Sequence, residues 1–131
     1  MNSPKIAIIG ATGAVGRVFL KLIEERAFPA SEIRVCASEK SWGKKLSVNE
    51  TTLMVEEATT KVISDVDIIF IAAGSDVSRT ISPTAKEHGT LVIDKSSEFR
   101  MDEKVPLVVP EVNGDDLNEH TGLISSPNCS T

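Results

Sequence analysis

The sequence predicts an α/β fold: a doubly wound, mostly parallel sheet with helices on both faces. Three observations carry that prediction. Short apolar runs of strand length alternate with segments whose apolar residues recur every three to four positions. The run "VDIIFIAAG" at 66–74 is apolar at every position after its aspartate, as a strand covered on both faces must be. The first such run also ends directly in a glycine-punctuated turn that opens a helix.

Taken in order, "KIAIIG" at 5–10 is the first strand. From Gly13 onward Val15, Val18, Phe19, Leu22 and Ile23 mark one helix face, with Lys21, Glu24, Glu25 and Arg26 mostly opposite. Pro29 closes that helix, because it drives the residue before it out of helical geometry. A second strand follows at 32–38, an edge strand at 51–58, and a short helix or turn at 60–66. The run at 66–74 is the central strand. The next helix runs from about Asp76 to His88 and is expected to break at Pro83, with Ser82 capping a restarted segment. Gly89 ends it, and 90–95 is the next strand. Residues 106–113 and 122–126 read as two further extended runs, with the polar, helix-like 114–121 between them.

The composition fits one domain with a real core: 131 residues, 40% of them hydrophobic and 25% charged. A net charge of −5 leaves no basic surplus to neutralise phosphates, which argues against a nucleic-acid partner. No apolar run has the length of a membrane span, and the first residues lack the pattern of a signal peptide. The two cysteines, Cys36 and Cys129, sit in unrelated contexts and do not suggest a disulfide framework. The expectation is a reducing, cytoplasmic setting in which a reactive thiol survives. Both histidines, His88 and His120, read as surface or capping residues.

Parallel α/β sheets bind ligands beyond the carboxyl ends of their strands. Four loops therefore become candidates, at 10–16, 38–45, 73–76 and 94–100. The first, "GATGAVG", places Gly10, Gly13 and Gly16 between strand and helix, a G-x-x-G-x-x-G variant of the Rossmann-type fingerprint. Such a turn needs a tight bend, bare backbone near a pyrophosphate, and close packing of helix on strand. The helix N-terminus then attracts the phosphates, and Thr12 can add a hydroxyl. The competing reading is a glycine-rich strand-to-helix turn that holds no ligand.

The second loop, "CASEKSWGKK", bears on which dinucleotide binds. An NAD site places an acid at the end of the second strand, whereas here Ser38 stands there, followed by Lys40, Ser41, Lys44 and Lys45. Hydroxyls and ammonium groups suit a 2′-phosphate, which favours NADP. Glu39 is the opposing feature, and a solvated charged loop is the bland alternative. At the other end of the chain, "SSPNCST" sets Cys129 after a strand, a proline and Asn128, a good N-cap for a helix starting at the cysteine. A helix N-terminus lowers a thiol pKa and its amides can hold an oxyanion. Cys36, within an apolar strand, reads as structural.

The segments "IIGATGAVG", "VIDKSSEFRMD", "VPLVVPEVN" and "SSPNCST", in this order over nearly the whole chain, closely resemble the N-terminal part of aspartate-semialdehyde dehydrogenases. The resemblance implies that residues 1–131 are the NADP-binding domain and that the family's substrate and dimerisation domain, which carries its histidine base, is absent. It also implies a homo-oligomer for the intact enzyme. By the same resemblance Cys129 is the nucleophile. It adds to aspartate 4-semialdehyde, hydride loss to NADP⁺ leaves a thioester, and phosphate releases 4-aspartyl phosphate. Biosynthesis of lysine, methionine and threonine uses the reverse direction. Thr12, Gly13, Ala14 and Val15 match the family's phosphate-binding turn, and Lys40 and Ser41 its 2′-phosphate pair, with lysine where arginine is common. Ala73, Gly74 and Ser75 match the loop beside the cofactor, and Arg100 matches the arginine that holds the phosphate or acyl phosphate. Lys95 stands where many relatives have asparagine and receives no cofactor contact. Two alternatives are a related acyl-phosphate reductase of the N-acetyl-glutamyl-phosphate type, whose cysteine usually has a G-C-Y-like context, and a non-catalytic nucleotide-binding module. The chain alone is expected to be inactive.

Overall fold

The computed structural model describes residues 3–130. Its main sheet has five parallel strands, β1 (Lys5–Ile9), β2 (Glu32–Cys36), β5 (Ile68–Ile71), β6 (Leu91–Asp94) and β7 (Leu123–Ser125), in the order β2-β1-β5-β6-β7. A separate hairpin pairs β3 (Lys45–Val48) with β4 (Thr51–Met54). Helix α1 (Ala14–Glu25) connects β1 to β2; α2 (Thr60–Asp65) precedes β5, α3 (Ser75–Glu87) connects β5 to β6, and one helical turn, α4 (Pro110–Asn113), lies before β7.

Alternation along the strands divides the core in two. Ile6, Ile8 and Val35 face Leu20 and Ile23 of α1, with Val48 and Val55 closing that side. Ala7, Ile9, Cys36, Ile69, Ile71 and Val92 face Val62 and Ile63 of α2 and Ile81 and Ala85 of α3. Helices thus cover both faces, as the fold class requires. Phe19 of α1 stacks on Phe70 of β5 with ring centroids 3.7 Å apart and planes 3° off parallel. Beside this pair a groove of about 370 Å³ runs along the sheet, lined by Ile6, Ile8, Leu22 and Ile93 among others.

Several expectations need correction. Helix α3 is not interrupted at Pro83; it is continuous from Ser75 to Glu87. Pro83 is on the exposed side, so the Arg79 carbonyl that loses its partner can turn to water. Ser82 is buried and faces Ser78, with the two hydroxyls 3.4 Å apart, so it caps nothing. Helix α1 ends before Pro29: Phe28 N–H donates to the Ile23 carbonyl and Ala27 N–H to that of Glu24, with Ala27 left-handed at φ 49°. That is a Schellman closure.

The strand expected at 51–58 stops at Met54 and pairs with β3, which the sequence reading lacked. Asn49 and Glu50, both at positive φ, form the two-residue turn, with Val48 opposite Thr51. Only Glu56 returns to the main sheet, bridging Cys36. The extended run expected at 106–113 breaks at Pro110, where the proline begins α4; Leu107 before it bridges Ser125. Gly114–Glu119 is a 3₁₀ helix.

Candidate active site at the carboxyl edge of the sheet

All five strands of the main sheet are parallel, so every loop that follows one opens on the same edge. The strand order reverses between β1 and β5, the point at which open α/β sheets hold ligands in a crevice. The three glycines of the first loop do different work. Gly10 sits at φ +82° and a Cβ there would lie 2.3 Å from the Ala72 carbonyl oxygen, so the turn after β1 presses against the end of β5. A Cβ on Gly16 would lie 2.2 Å from the Gly10 carbonyl oxygen, so Gly16 sets the packing of α1 on the turn. Gly13, by contrast, is not crowded: a Cβ there would make one ordinary contact, 3.5 Å from the Gly10 carbonyl oxygen.

Gly13 is the N-cap of α1 and supplies no side-chain acceptor to the first turn. The amides of Ala14, Val15 and Gly16 therefore have no protein partner among the described residues. Gly74 caps α3 in the same bare fashion, with nothing within 4 Å of where its Cβ would be. Two helix N-termini with free donors thus open on the crevice, and this arrangement fits the pyrophosphate of a dinucleotide. Ala73 is half-buried against the core beside them, and Ser75 places its hydroxyl 3.1 Å from that of Ser97.

The second loop begins at Ser38 and makes a 3₁₀ turn, Glu39–Ser41. Lys40 is exposed, whereas Ser41 is buried and its hydroxyl lies 3.3 Å from that of Thr12. The phosphate turn and the end of β2 are thereby joined. Lys45 leaves the loop as the first residue of β3. Trp42 donates its indole N–H to the Ala37 carbonyl at 2.9 Å and remains 42% exposed. Arg17, which sequence reasoning did not single out, donates from Nε to the Thr12 carbonyl at 2.9 Å and brings a cation to the turn.

The loops after β6 and β7 form the other half of the site. Asp94 is fully buried and accepts from the Ser78 hydroxyl at 2.6 Å, the Ser96 amide at 2.8 Å and the Ser96 hydroxyl at 2.9 Å. Arg79 grips Glu98 with two hydrogen bonds of 2.9 Å, and these hold the Glu98 carboxyl below its ordinary range. Arg100 is half-buried rather than displayed on the surface: Nε donates to the Ser126 carbonyl at 2.8 Å and one terminal nitrogen to that of Lys95 at 2.7 Å. Lys95 reaches the same segment, with Nζ donating to the Ser126 hydroxyl and the Pro127 carbonyl. Cys129 is exposed, and its thiol donates to Asn128 Oδ1 at 3.2 Å. The same oxygen accepts from the Ser130 amide at 3.5 Å, as an N-cap would, but the described residues end in a turn, not a helix. Thr131 lies outside them. Cys36 differs in kind: burial, and then Glu56, push its thiol up to about 12.

A parallel sheet with its switch point between β1 and β5, a glycine turn and two uncapped helix N-termini define a dinucleotide-binding domain of Rossmann type. Residues 5–120 match the family described as semialdehyde dehydrogenase, NAD binding domain, and the chain belongs to that family. It is 46% identical over 126 residues to an aspartate-semialdehyde dehydrogenase of Bacillus subtilis, covering 96% of this chain and 36% of that protein. A relative of the same name from Aquifex aeolicus is 45% identical over 135 residues, covering 97% and 38%. The chain thus spans well under half the length of these relatives. Among solved structures, aspartate semialdehyde dehydrogenase II of Vibrio cholerae complexed with ASA superposes with a TM-score of 0.93 at 42% identity, covering 98% of this chain and 42% of that one. The enzyme of Candida albicans with NADP gives 0.80 at 26% identity, covering 97% and 43%. Among the described residues no helix is long and apolar enough to cross a membrane, and no cluster of His, Cys, Asp or Glu is arranged to hold a metal.

Proposed function

We propose that the chain is the NADP-binding part of an aspartate-semialdehyde dehydrogenase and that Cys129 is its nucleophile. Residues 1–131 form that domain, and the rest of the family protein supplies the substrate and dimerisation domain. The observation that carries the reading is shared placement. The glycine turn after β1 and the Cys129 segment after β7 open on one edge of one sheet, so a cofactor in the crevice and a thiol-bound substrate can meet.

In this reading Ala14, Val15 and Gly16 donate amides to the pyrophosphate, with the Thr12 hydroxyl and the Arg17 cation beside them. Ser38, Lys40 and Ser41 read the 2′-phosphate, and Ala73, Gly74 and Ser75 flank the nicotinamide half. When bound, NADP supplies a hydride acceptor, and NADPH a donor for the reverse reaction. The Cys129 thiolate bonds to the aldehyde carbon of aspartate 4-semialdehyde, giving a thiohemiacetal. Loss of hydride from that carbon and of the hydroxyl proton to a base outside this chain leaves a thioester. A phosphate oxygen then bonds to the thioester carbon, the carbon–sulfur bond breaks, and 4-aspartyl phosphate leaves with Cys129 again a thiolate. Arg100 contributes positive charge where the phosphate enters.

Calorimetric titration with NADPH and separately NADH tests the cofactor half of the reading. Saturable binding that favours NADPH supports it; equal binding would leave a dinucleotide site without 2′-phosphate recognition. The chain by itself is expected to give no appreciable turnover.

A further inference from the structure

The segment that leads into Cys129 is held from the side by the loop after β6. Ser126 N–H donates to the Asp94 carbonyl at 2.9 Å. Lys95 Nζ donates to Ser126 Oγ at 3.3 Å and to the Pro127 carbonyl at 2.9 Å. Arg100 Nε donates to the Ser126 carbonyl at 2.8 Å while its other engaged nitrogen donates back to the Lys95 carbonyl at 2.7 Å, so the two cations brace one another through backbone. Beyond Pro127 the restraint ends: Asn128 and Cys129 are exposed and bond only locally. The direction in which the chain enters Cys129 is therefore set by what grips residues 126 and 127.

Neither Lys95 nor Arg100 has a carboxylate within 4.0 Å among the described residues. Their hydrogen bonds go to uncharged carbonyls and a hydroxyl. The Lys95 ammonium group is spent on the last two residues before the Asn128–Cys129 pair.

We propose that Lys95 is a positioning residue for Cys129: with Arg100 it clamps Ser126 and Pro127 and so fixes the path of the chain into the thiol. The function of this clamp rests on the reading of Cys129 as nucleophile, but its existence does not. Nuclear magnetic resonance on the chain tests it with two variants. In Lys95→Met the Ser126 amide should exchange about tenfold faster, as loss of hydrogen bonds from a charged donor implies. Amide order parameters at Asn128 and Cys129 should lie above about 0.6 in the unsubstituted chain and fall below it in Lys95→Met. Exchange of the β1 and β5 amides and the affinity for NADPH should stay within about twofold, since Lys95 lies outside the proposed cofactor contacts and a tenfold effect marks lost bonding. Lys95→Arg keeps a long cationic donor and should restore the order parameters.

Unchanged order at 128 and 129 in Lys95→Met would overturn the proposal, as would faster exchange spread evenly over β1, β5 and residue 126. Order parameters already low in the unsubstituted chain would overturn it too. The rate of Cys129 alkylation by iodoacetamide, compared with glutathione, separates this from the reading it rests on. A Cys129 no faster than glutathione alongside the expected relaxation data removes the nucleophile reading and leaves the clamp supported.

Discussion

The hydroxyls of Thr12 and Ser41 lie 3.3 Å apart, one in the turn after β1 and the other in the turn after β2. A single hydrogen bond thus joins the turn proposed to hold the pyrophosphate to the turn proposed to read the 2′-phosphate. Each hydroxyl retains bonding capacity toward the crevice, since a hydroxyl both donates and accepts.

That junction makes cofactor discrimination measurable at Ser41. Charge-assisted bonds contribute more than neutral ones, so Ser41→Ala and Lys40→Ala should each weaken NADPH binding about tenfold and leave NADH within about threefold. Trp42 provides the readout. It is the single tryptophan, the chain has no tyrosine, and its indole is anchored beside Ser41 on the Ala37 carbonyl. Its emission should change on titration with NADPH, and equal loss of both cofactors in Ser41→Ala would contradict the assignment.

The glycines separate stability from binding. Gly16→Ala puts a methyl 2.2 Å from the Gly10 carbonyl oxygen, backbone that cannot step aside, and should cost at least about 3 kcal/mol in urea denaturation. Gly13→Ala adds a methyl in ordinary contact, 3.5 Å from the Gly10 carbonyl oxygen, and should cost only about 1 kcal/mol, the preference of a helix N-cap for glycine over alanine. It should nevertheless weaken dinucleotide binding, because that methyl stands where the pyrophosphate approaches. A Gly13→Ala chain that binds as well as the unsubstituted one would remove the phosphate from that turn.

At the far end of α1, Ala27 holds φ 49°, a conformation that costs a residue with a Cβ about 1 kcal/mol relative to glycine. Ala27→Gly should therefore raise the unfolding free energy, by somewhat under that amount once the greater freedom of glycine in the unfolded chain is counted. A lowered midpoint in denaturant would show that the Schellman closure does not persist in solution.

Cys36 predicts an alkaline limit. Its thiol is raised from 9.0 to about 12 in the folded chain by burial and Glu56. Between those values the unfolded chain has lost the proton and the folded chain keeps it, so stability is complete below pH 9 and falls as pH rises. The slope approaches about 1.4 kcal/mol per pH unit. Cys36→Ala should abolish that component, so the stability gap between the two chains should narrow from pH 9 upward. The same burial should leave Cys129 as the thiol that iodoacetamide labels in the native chain at neutral pH.

Much of this architecture was legible because it is written in local pattern. The strands β1, β2, β5 and β6, the helices between them and the glycine turn follow from period and punctuation, and parallel pairing places their loops on one edge. The hairpin was half missed because β3 lies within a run of lysine and serine where only Leu46 and Val48 mark the alternation, and its turn uses Asn-Glu rather than Asn-Gly. Pro83 misled because the buried face of α3, with Ser78, Ile81, Ser82 and Ala85, carries the helix past a proline on its exposed side, and tertiary packing overrides the local preference. The hydrogen bonds of Arg100 and Lys95 were not foreseen, for a different reason. Among their acceptors are the Ser126 carbonyl, 26 residues from Arg100, and the Pro127 carbonyl, 32 residues from Lys95, and a carbonyl has no signature in the side-chain sequence.

The strand order has a consequence for how the molecule comes into being. β1 is made first yet ends in the interior, and its second neighbour arrives 62 residues later, as Lys5 and Asp67 record. At ribosomal rates of about 5–20 residues per second, β5 trails β1 by roughly 3–12 s. Until then the nascent chain can assemble β1, α1 and β2 but has nothing to lay against the other edge of β1. Birth from the ribosome thus leaves the most apolar strand of the half-built sheet waiting with an open flank, and refolding of the finished chain, dominated by such distant pairings, should be slow for its size.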